Sequence, residues 1–514
     1  MNGAESLVKS LLANDVDVCF TNPGTSEMHF VAALDSVPGM RCVLALFEGV
    51  ATGAADGYYR MSGKPASTLL HLGPGLANGI ANLHNAKKAG SGVVNIVGEH
   101  ALPHIALDAP LTADIEGLSW PVSHWVKTSG SPAEVGADGA EAVAAAMVAP
   151  GQIATLILPG DTAWDPGGEV AAKSETPTRP AVDPAAIEAA AAHLGGPESL
   201  IILGGTALLA ENVEMAGRIS AKTGCGLLTE WSNAKLERGA GRVSVNRIPY
   251  PVEQAIEVLA PYKRIVLVGS RRPVAFFAYP NKPGILTADD VEFVEMCDWG
   301  ADMSAGLAAL ADAVGATDTP PAGVAEAMRP DVPDGPLTPD SIARVLGNLI
   351  PENAIVVDES VTTGRQFFSQ TAGAPHHTWL NNRGGSIGYG LPCAIGAAIA
   401  CPDRKVLALE GDGSAMYTVQ GLWTIAREEL DITVLVFANH SYRILHGELR
   451  NVGVENPGPR AQDMLTLNRP DLDWVDVARG MGVEGEKVTD TQALFRALEE
   501  GLERSGPYLV QVEL

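Results

Sequence analysis

The chain has 514 residues, 61 of them acidic and 35 basic, for a net charge of −26. This length exceeds what one hydrophobic core organises, so two to four domains are expected. The acidic balance excludes the basic footprint that nucleic acid or an anionic membrane surface would require, and neither is expected as a partner. With 46% hydrophobic and 19% charged residues, 56 glycines and 35 prolines, the composition suits a compact protein with many tight turns. The cysteines are Cys19, Cys42, Cys225, Cys297, Cys393 and Cys401. None forms a C-x-x-C pair and all sit in apolar or small-residue stretches, which predicts buried free thiols in a reducing cytoplasm. No basic stretch precedes an apolar run at the start, so no signal peptide is expected, and no apolar stretch is long enough to span a bilayer.

In chain order, a helical pattern over 5–14 precedes a strand-like run at 17–21, which ends in Asn22-Pro-Gly-Thr25. The apolar run 43–47 ends at Glu48, ahead of a small-residue helix over 49–58. A strand at 67–70 runs into His71 and Gly73-Pro-Gly75, and further strands follow at 92–97 and 154–158. A linker at 165–184 leads to a helix over 184–193 and to strands at 200–203 and 264–268, each ending in glycine. A proline-rich linker at 317–339 comes next, then strands at 354–357, 405–409, 432–438 and 508–512. Strands alternating with helices predict an α/β protein of three domains, each with a mostly parallel sheet flanked by helices. The linkers divide the chain into 1–180, 181–335 and 336–514, and there is no short-period repeat.

The sharpest signal is Gly411-Asp-Gly-Ser414 at the end of an apolar strand. Glycines at such a turn let backbone N–H groups approach an anion. An aspartate there repels phosphate unless a divalent cation lies between them, and Mg²⁺ commonly bridges a carboxylate to phosphate oxygens. A second oxygen ligand is expected at the end of the next parallel strand, where Asn439-His-Ser-Tyr442 stands.

Gly411-Asp-Gly followed at this interval by Asn439 is similar to the binding motif of thiamine-diphosphate (ThDP) enzymes. The stretch Gly411-Asp-Gly-Ser-Ala-Met-Tyr-Thr-Val-Gln-Gly-Leu-Trp-Thr424 resembles benzoylformate decarboxylase and acetolactate-synthase-like proteins. The resemblance implies that Asp412, Asn439 and the carbonyl of Ser441 ligate Mg²⁺, or Ca²⁺ in its place. Gly411, Gly413, Ser414 and Tyr442 would line the diphosphate. In Gly384-Gly-Ser-Ile-Gly-Tyr-Gly-Leu-Pro392, Ile387 would wedge between the cofactor rings and the Gly385 carbonyl would hold the amino group. Glu359-Ser-Val-Thr362 resembles a further cofactor stretch, with Thr362 toward the phosphates; the family often has a hydroxyl residue where Val361 stands.

Glu48, placed as a buried acid, would exchange a proton with the aminopyrimidine. Its other reading is a helix-start charge favoured by the dipole. His71 occupies a position at which benzoylformate decarboxylase has a proton-handling histidine, and Thr25 a place near the substrate carboxylate. The decarboxylase's second histidine has no counterpart in 273–279, where Phe276 and Phe277 form an apolar wall. His376, His377, His440 and His446 are expected to be surface or packing residues.

The resemblance implies an N-terminal pyrimidine-binding and a C-terminal diphosphate-binding domain of the ThDP-binding fold around a Rossmann-like middle domain, for which no FAD is expected. It implies decarboxylation of a 2-oxo acid to CO₂ and an aldehyde. The alternative is an acetolactate-synthase-like carboligase that joins the intermediate to a second carbonyl compound. Readings of another class are a flavin- or NAD-dependent oxidoreductase using the middle domain, and a non-catalytic subunit. A homo-oligomer is expected, a dimer at minimum and commonly a tetramer, with sites at subunit interfaces.

Overall fold

A computed structural model covers residues 1–514 and contains three sheets. The first is all parallel and runs in the order Arg41–Leu44, Val18–Asn22, Ala66–Leu70, Val93–Glu99, Ile153–Pro159, Trp125–Thr128. Its central strands are continuously buried, as expected of a parallel sheet covered on both faces. The second sheet has five parallel strands, with Ser199–Leu203 in the middle. The third has seven, with Val406–Gly411 and Ile432–Ala438 adjacent at its centre. The chain is thus an α/β protein with three mostly parallel sheets flanked by helices.

All ten expected strands are present, several extended by a residue or two at their ends. One strand breaks the division by sequence. Leu236–Arg238, from the middle of the chain, pairs antiparallel with His377–Asn381 and forms one edge of the third sheet. The two expected linkers, 165–184 and 317–339, contain no helix or strand except at their last residues, where Pro184 and Pro339 open the helices Pro184–His193 and Pro339–Leu349.

The first and third domains meet along two helices, Glu48–Ser62 and Gly390–Ala400. Small residues set their separation. A β-carbon at Gly57 would lie 2.1 Å from the Cys393 carbonyl oxygen, and one at Gly396 would lie 1.9 Å from that of Ala54. The seam also buries a charge. Arg60 is held by the carboxylate of Asp56 through its Nε (2.8 Å) and Nη2 (2.6 Å). Its Nη1 donates to the carbonyls of Ala234 (3.2 Å) and Asn381 (2.7 Å) and to the Tyr389 hydroxyl (2.9 Å). One guanidinium therefore joins all three parts of the chain. Burial penalises its charge, but Asp56 outweighs that and holds the guanidinium firmly protonated.

The thiols do not all behave as expected. Cys42 is exposed and Cys401 half-buried; the other four are buried and all six are free. Cys42 lies on an edge strand whose first two residues face outward, so an apolar sequence context did not mean burial there. No helix is long and apolar enough to cross a membrane.

Candidate active site

Three neighbouring strands of the first sheet place one group of residues. Thr25 follows Val18–Asn22, Glu48 follows Arg41–Leu44, and His71 follows Ala66–Leu70. Carboxyl ends of adjacent parallel strands are where open α/β sheets bind ligands.

Glu48 is the first residue of its helix and is also buried, at 8% exposure, so the helix-start and buried-acid readings are both realised. Its Oε2 accepts a hydrogen bond from Asn78 Nδ2 at 3.0 Å. His71 Nδ1 lies 2.7 Å from Glu27 Oε2, which also accepts the Gly24 N–H at 2.7 Å. Glu27 is buried and its other oxygen has no partner. Burial raises its pKa, against the opposing pull of His71 and the Gly24 N–H. The imidazole lies directly over the turn, because a β-carbon at Gly24 would come within 2.2 Å of the ring.

Glu27 was not foreseen as a site residue. Only its spacing from Gly24 hinted at a role, since an acid three residues after a turn start can accept the N–H of the residue that opens it.

The third sheet places a second group. Gly411 and Phe437 are partners in register, so Asp412 and Asn439 emerge from adjacent strand ends. Asp412 begins a short helix directly after the strand. Its Oδ1 accepts the Gly413 N–H at 2.8 Å and its Oδ2 the His440 N–H at 2.6 Å. His440 reaches it from φ +52, the left-handed region that a non-glycine residue rarely adopts. Asn439 Oδ1 accepts the Ser441 N–H at 3.1 Å. The Ser441 hydroxyl is engaged with His446 Nε2 and the Leu465 carbonyl. Ser414 donates to the Gly411 carbonyl at 3.1 Å, and the Tyr442 ring covers the place where a Gly413 side chain would stand.

This donor set suits a hard cation: one carboxylate, one amide oxygen and nearby main-chain oxygens. No group of three or more His, Cys, Asp or Glu side chains gathers to hold a metal. A cation here would draw its remaining oxygens from an anionic ligand such as a diphosphate.

The loop with Gly385 and Ile387 is fastened from two sides. Glu359 Oε2 accepts the N–H groups of Gly388 (3.2 Å), Tyr389 (2.9 Å) and Gly390 (2.9 Å), and its Oε1 accepts Asn382 Nδ2 (3.1 Å). Asn82 donates to the carbonyls of Gly49 and Gly388, and Asn85 to that of Ser386. His84 Nε2 lies 3.1 Å from the Gly384 carbonyl. Asn82, His84 and Asn85 carry no motif that would have marked them. Burial raises the Glu359 pKa to about 7. Glu410, buried beside it, is also pushed well up, by burial and by the neighbouring Glu359 carboxylate. Thr362 is half-buried next to Val361, which is 39% exposed at φ +49.

The histidines divide. His377 is buried in the strand His377–Asn381 as a packing residue, with Nδ1 2.7 Å from the Pro375 carbonyl. His440 lies between Asn439 and Ser441, with its ring 2.7 Å from Glu513.

Two family descriptions match: "Thiamine pyrophosphate enzyme, N-terminal TPP binding domain" over residues 1–117, and the corresponding C-terminal TPP binding domain over 361–512. A Mycobacterium tuberculosis protein named "Putative acetolactate synthase large subunit IlvX" is 50% identical, covering 100% of this chain and 99% of its own. A benzoylformate decarboxylase of Pseudomonas aeruginosa is 29% identical over 96% and 95%. In fold, the chain is similar to the thiamine diphosphate-dependent 4-hydroxybenzoylformate decarboxylase of Rhodococcus jostii RHA1. That similarity has a TM-score of 0.85 at 23% identity and covers 100% of this chain and 99% of the other.

Proposed function

The chain belongs to the thiamine-pyrophosphate-dependent enzymes, and from that membership we propose that it decarboxylates a 2-oxo acid without oxidation, releasing CO₂ and an aldehyde. The observation that carries this reading is the Glu27–His71 pair beside buried Glu48. Decarboxylation to an aldehyde needs a proton delivered to carbon after CO₂ leaves, and an imidazole held by a carboxylate suits that task.

ThDP, when bound, supplies a thiazolium that accepts the electron pair left by CO₂. Glu48 would exchange a proton with the ring nitrogen N1′ of the aminopyrimidine. Glu27 accepts at His71 Nδ1, which leaves Nε2 to carry the proton to product. The Thr25 hydroxyl would orient the substrate carboxylate. Asp412, Asn439 and the Ser441 carbonyl would hold Mg²⁺, with Ser414, Gly413 and Tyr442 around the diphosphate. Gly385 and Ile387 would seat the rings and Thr362 the phosphate end. As in the family it resembles, the cofactor would lie between the N-terminal domain of one chain and the C-terminal domain of another, so the minimum active unit would be a dimer, with tetramers expected.

A second reading, carboligation, is favoured by the name of the Mycobacterium tuberculosis relative. Purified protein with ThDP and Mg²⁺ would be given pyruvate, longer 2-oxo acids and benzoylformate. Aldehyde as the product supports decarboxylation, and a hydroxyketone supports carboligation. Absence of CO₂ from every substrate would remove both.

A further inference from the structure

A cavity of about 720 Å³ lies between the carboxyl edge of the middle sheet and the end of the helix Leu72–Ala89. In a protein of net charge −26 it gathers Lys87, Lys88, Arg271, Arg272 and Arg383 around a single acid, Glu230. That acid is already paired with Arg383. Lys87 donates only to the carbonyls of Pro121 and Ser123. The guanidinium groups of Arg271 and Arg272 lie over the rings of Trp299 and Phe293, with no carboxylate partner. Trp299, on the same wall, has a buried indole N–H with no acceptor. A cluster of like charges with one carboxylate among them is self-repelling in the free protein and is satisfied by an anion.

The cavity also reaches the loop that would seat the cofactor. Phe276 lines it, and its ring tip lies 3.1 Å from where a Gly385 β-carbon would stand. Arg383 lines it from the same loop. Phe276 is 50% exposed and continues through Tyr250 and Trp231 in a row of rings with centroids 5.6 and 5.8 Å apart. An apolar wall thus leads from the reaction centre to a cationic end.

We propose that this cavity is an anion-binding extension of the active site, and that the substrate carries, beyond its 2-oxo acid, a second anionic group held near Arg271 and Lys88. This rests on the 2-oxo acid reading given above.

The test compares 2-oxo diacids, from 2-oxoadipate to 2-oxosuberate, with monoacids of equal length, and includes a 2-oxo acid ending in a phosphonate. At least one dianionic compound is expected to exceed its monoacid by about tenfold in kcat/KM, chiefly through KM, the scale of one charge-assisted contact. Carboxylate or phosphonate as the better end identifies the group. The preference should weaken as salt rises. Arg271→Ala and Lys88→Ala, both at the cavity wall, should each reduce the dianion-to-monoacid ratio about threefold or more.

Equal kinetics for the paired acids, with the ratio unmoved in both variants, overturns the proposal. Calorimetric titration of 2-oxosuberate and 2-oxoadipate into the ThDP-free protein gives a readout without turnover. If no 2-oxo acid yields CO₂, the functional reading fails. The anion site then stands if this heat is present and is lost in Arg271→Ala, and falls if it is absent. Saturation of the cavity by FAD or ADP, with no response to dianions, also overturns it.

Discussion

Replacement of Arg60 by Met should destabilise the protein severely. The change removes five hydrogen bonds, two to Asp56 and three to groups of the middle and C-terminal parts. Asp56 would remain fully buried with only the Ser91 hydroxyl, 2.5 Å away, to solvate it. Loss of one partner of a buried pair costs about 3–5 kcal/mol, mostly because the other charge is stranded. With a urea slope of about 2–3 kcal/mol/M for a domain-sized unit, the midpoint should fall by roughly 1–2 M. Adding Asp56→Leu removes the stranded charge, so the double variant should recover part of that loss. Both midpoints would be read from circular dichroism in a urea titration. The freed Asn381 carbonyl and Tyr389 hydroxyl flank the loop with Gly385 and Ile387, so ThDP affinity measured by calorimetry should fall as well. A midpoint shift below about 0.3 M in Arg60→Met, or a double variant less stable than the single one, would refute the reasoning.

Glu48→Gln should keep the fold and bind ThDP while lowering CO₂ release by about 10²–10⁴-fold, the usual range for a lost proton-transfer group; an unchanged rate removes Glu48 from the mechanism. Glu27→Gln should lower kcat about ten- to a hundredfold with KM nearly unchanged, the scale of removing a group that orients an active imidazole; a pure KM effect would assign Glu27 to substrate binding. Asp412→Ala should abolish the Mg²⁺ dependence of ThDP binding, checked by calorimetry with and without the metal. His377 has its pKa lowered to about 3 by burial, with Arg238 nearby. Its unfolded form binds a proton near pH 6.5, so stability is full above that value and declines as pH falls toward 3, by about 2 kcal/mol at pH 5. Urea midpoints at pH 7 and 5 should therefore converge in His377→Gln.

The reading of the sequence was strongest where chemistry is local. Gly411-Asp412-Gly413 at a strand end and Asn439 at the next strand end carry their meaning in short segments, because parallel-strand topology brings successive strand ends together. The placement of Glu48 and His71 beyond strand ends was legible for the same reason, each standing at the end of an apolar run. The pattern also held the α/β class and the positions of ten strands, since burial on both faces leaves continuous apolar runs.

Other features depended on contacts between distant segments. Glu27 was one acid among 61 until the fold brought it within 2.7 Å of His71. Asn82, His84 and Asn85 look like ordinary helix residues until the loop they hold, some 300 positions later, is packed against them. Arg60 and the strand Leu236–Arg238 cross boundaries that linker composition suggested. The cationic cavity is assembled from three regions, each unremarkable in charge by itself. The sequence by itself determined the cofactor chemistry, because backbone turns and their immediate neighbours encode it. The tertiary structure alone decided which groups orient those residues and what surrounds the substrate, because those contacts form only when separate chain segments are buried together.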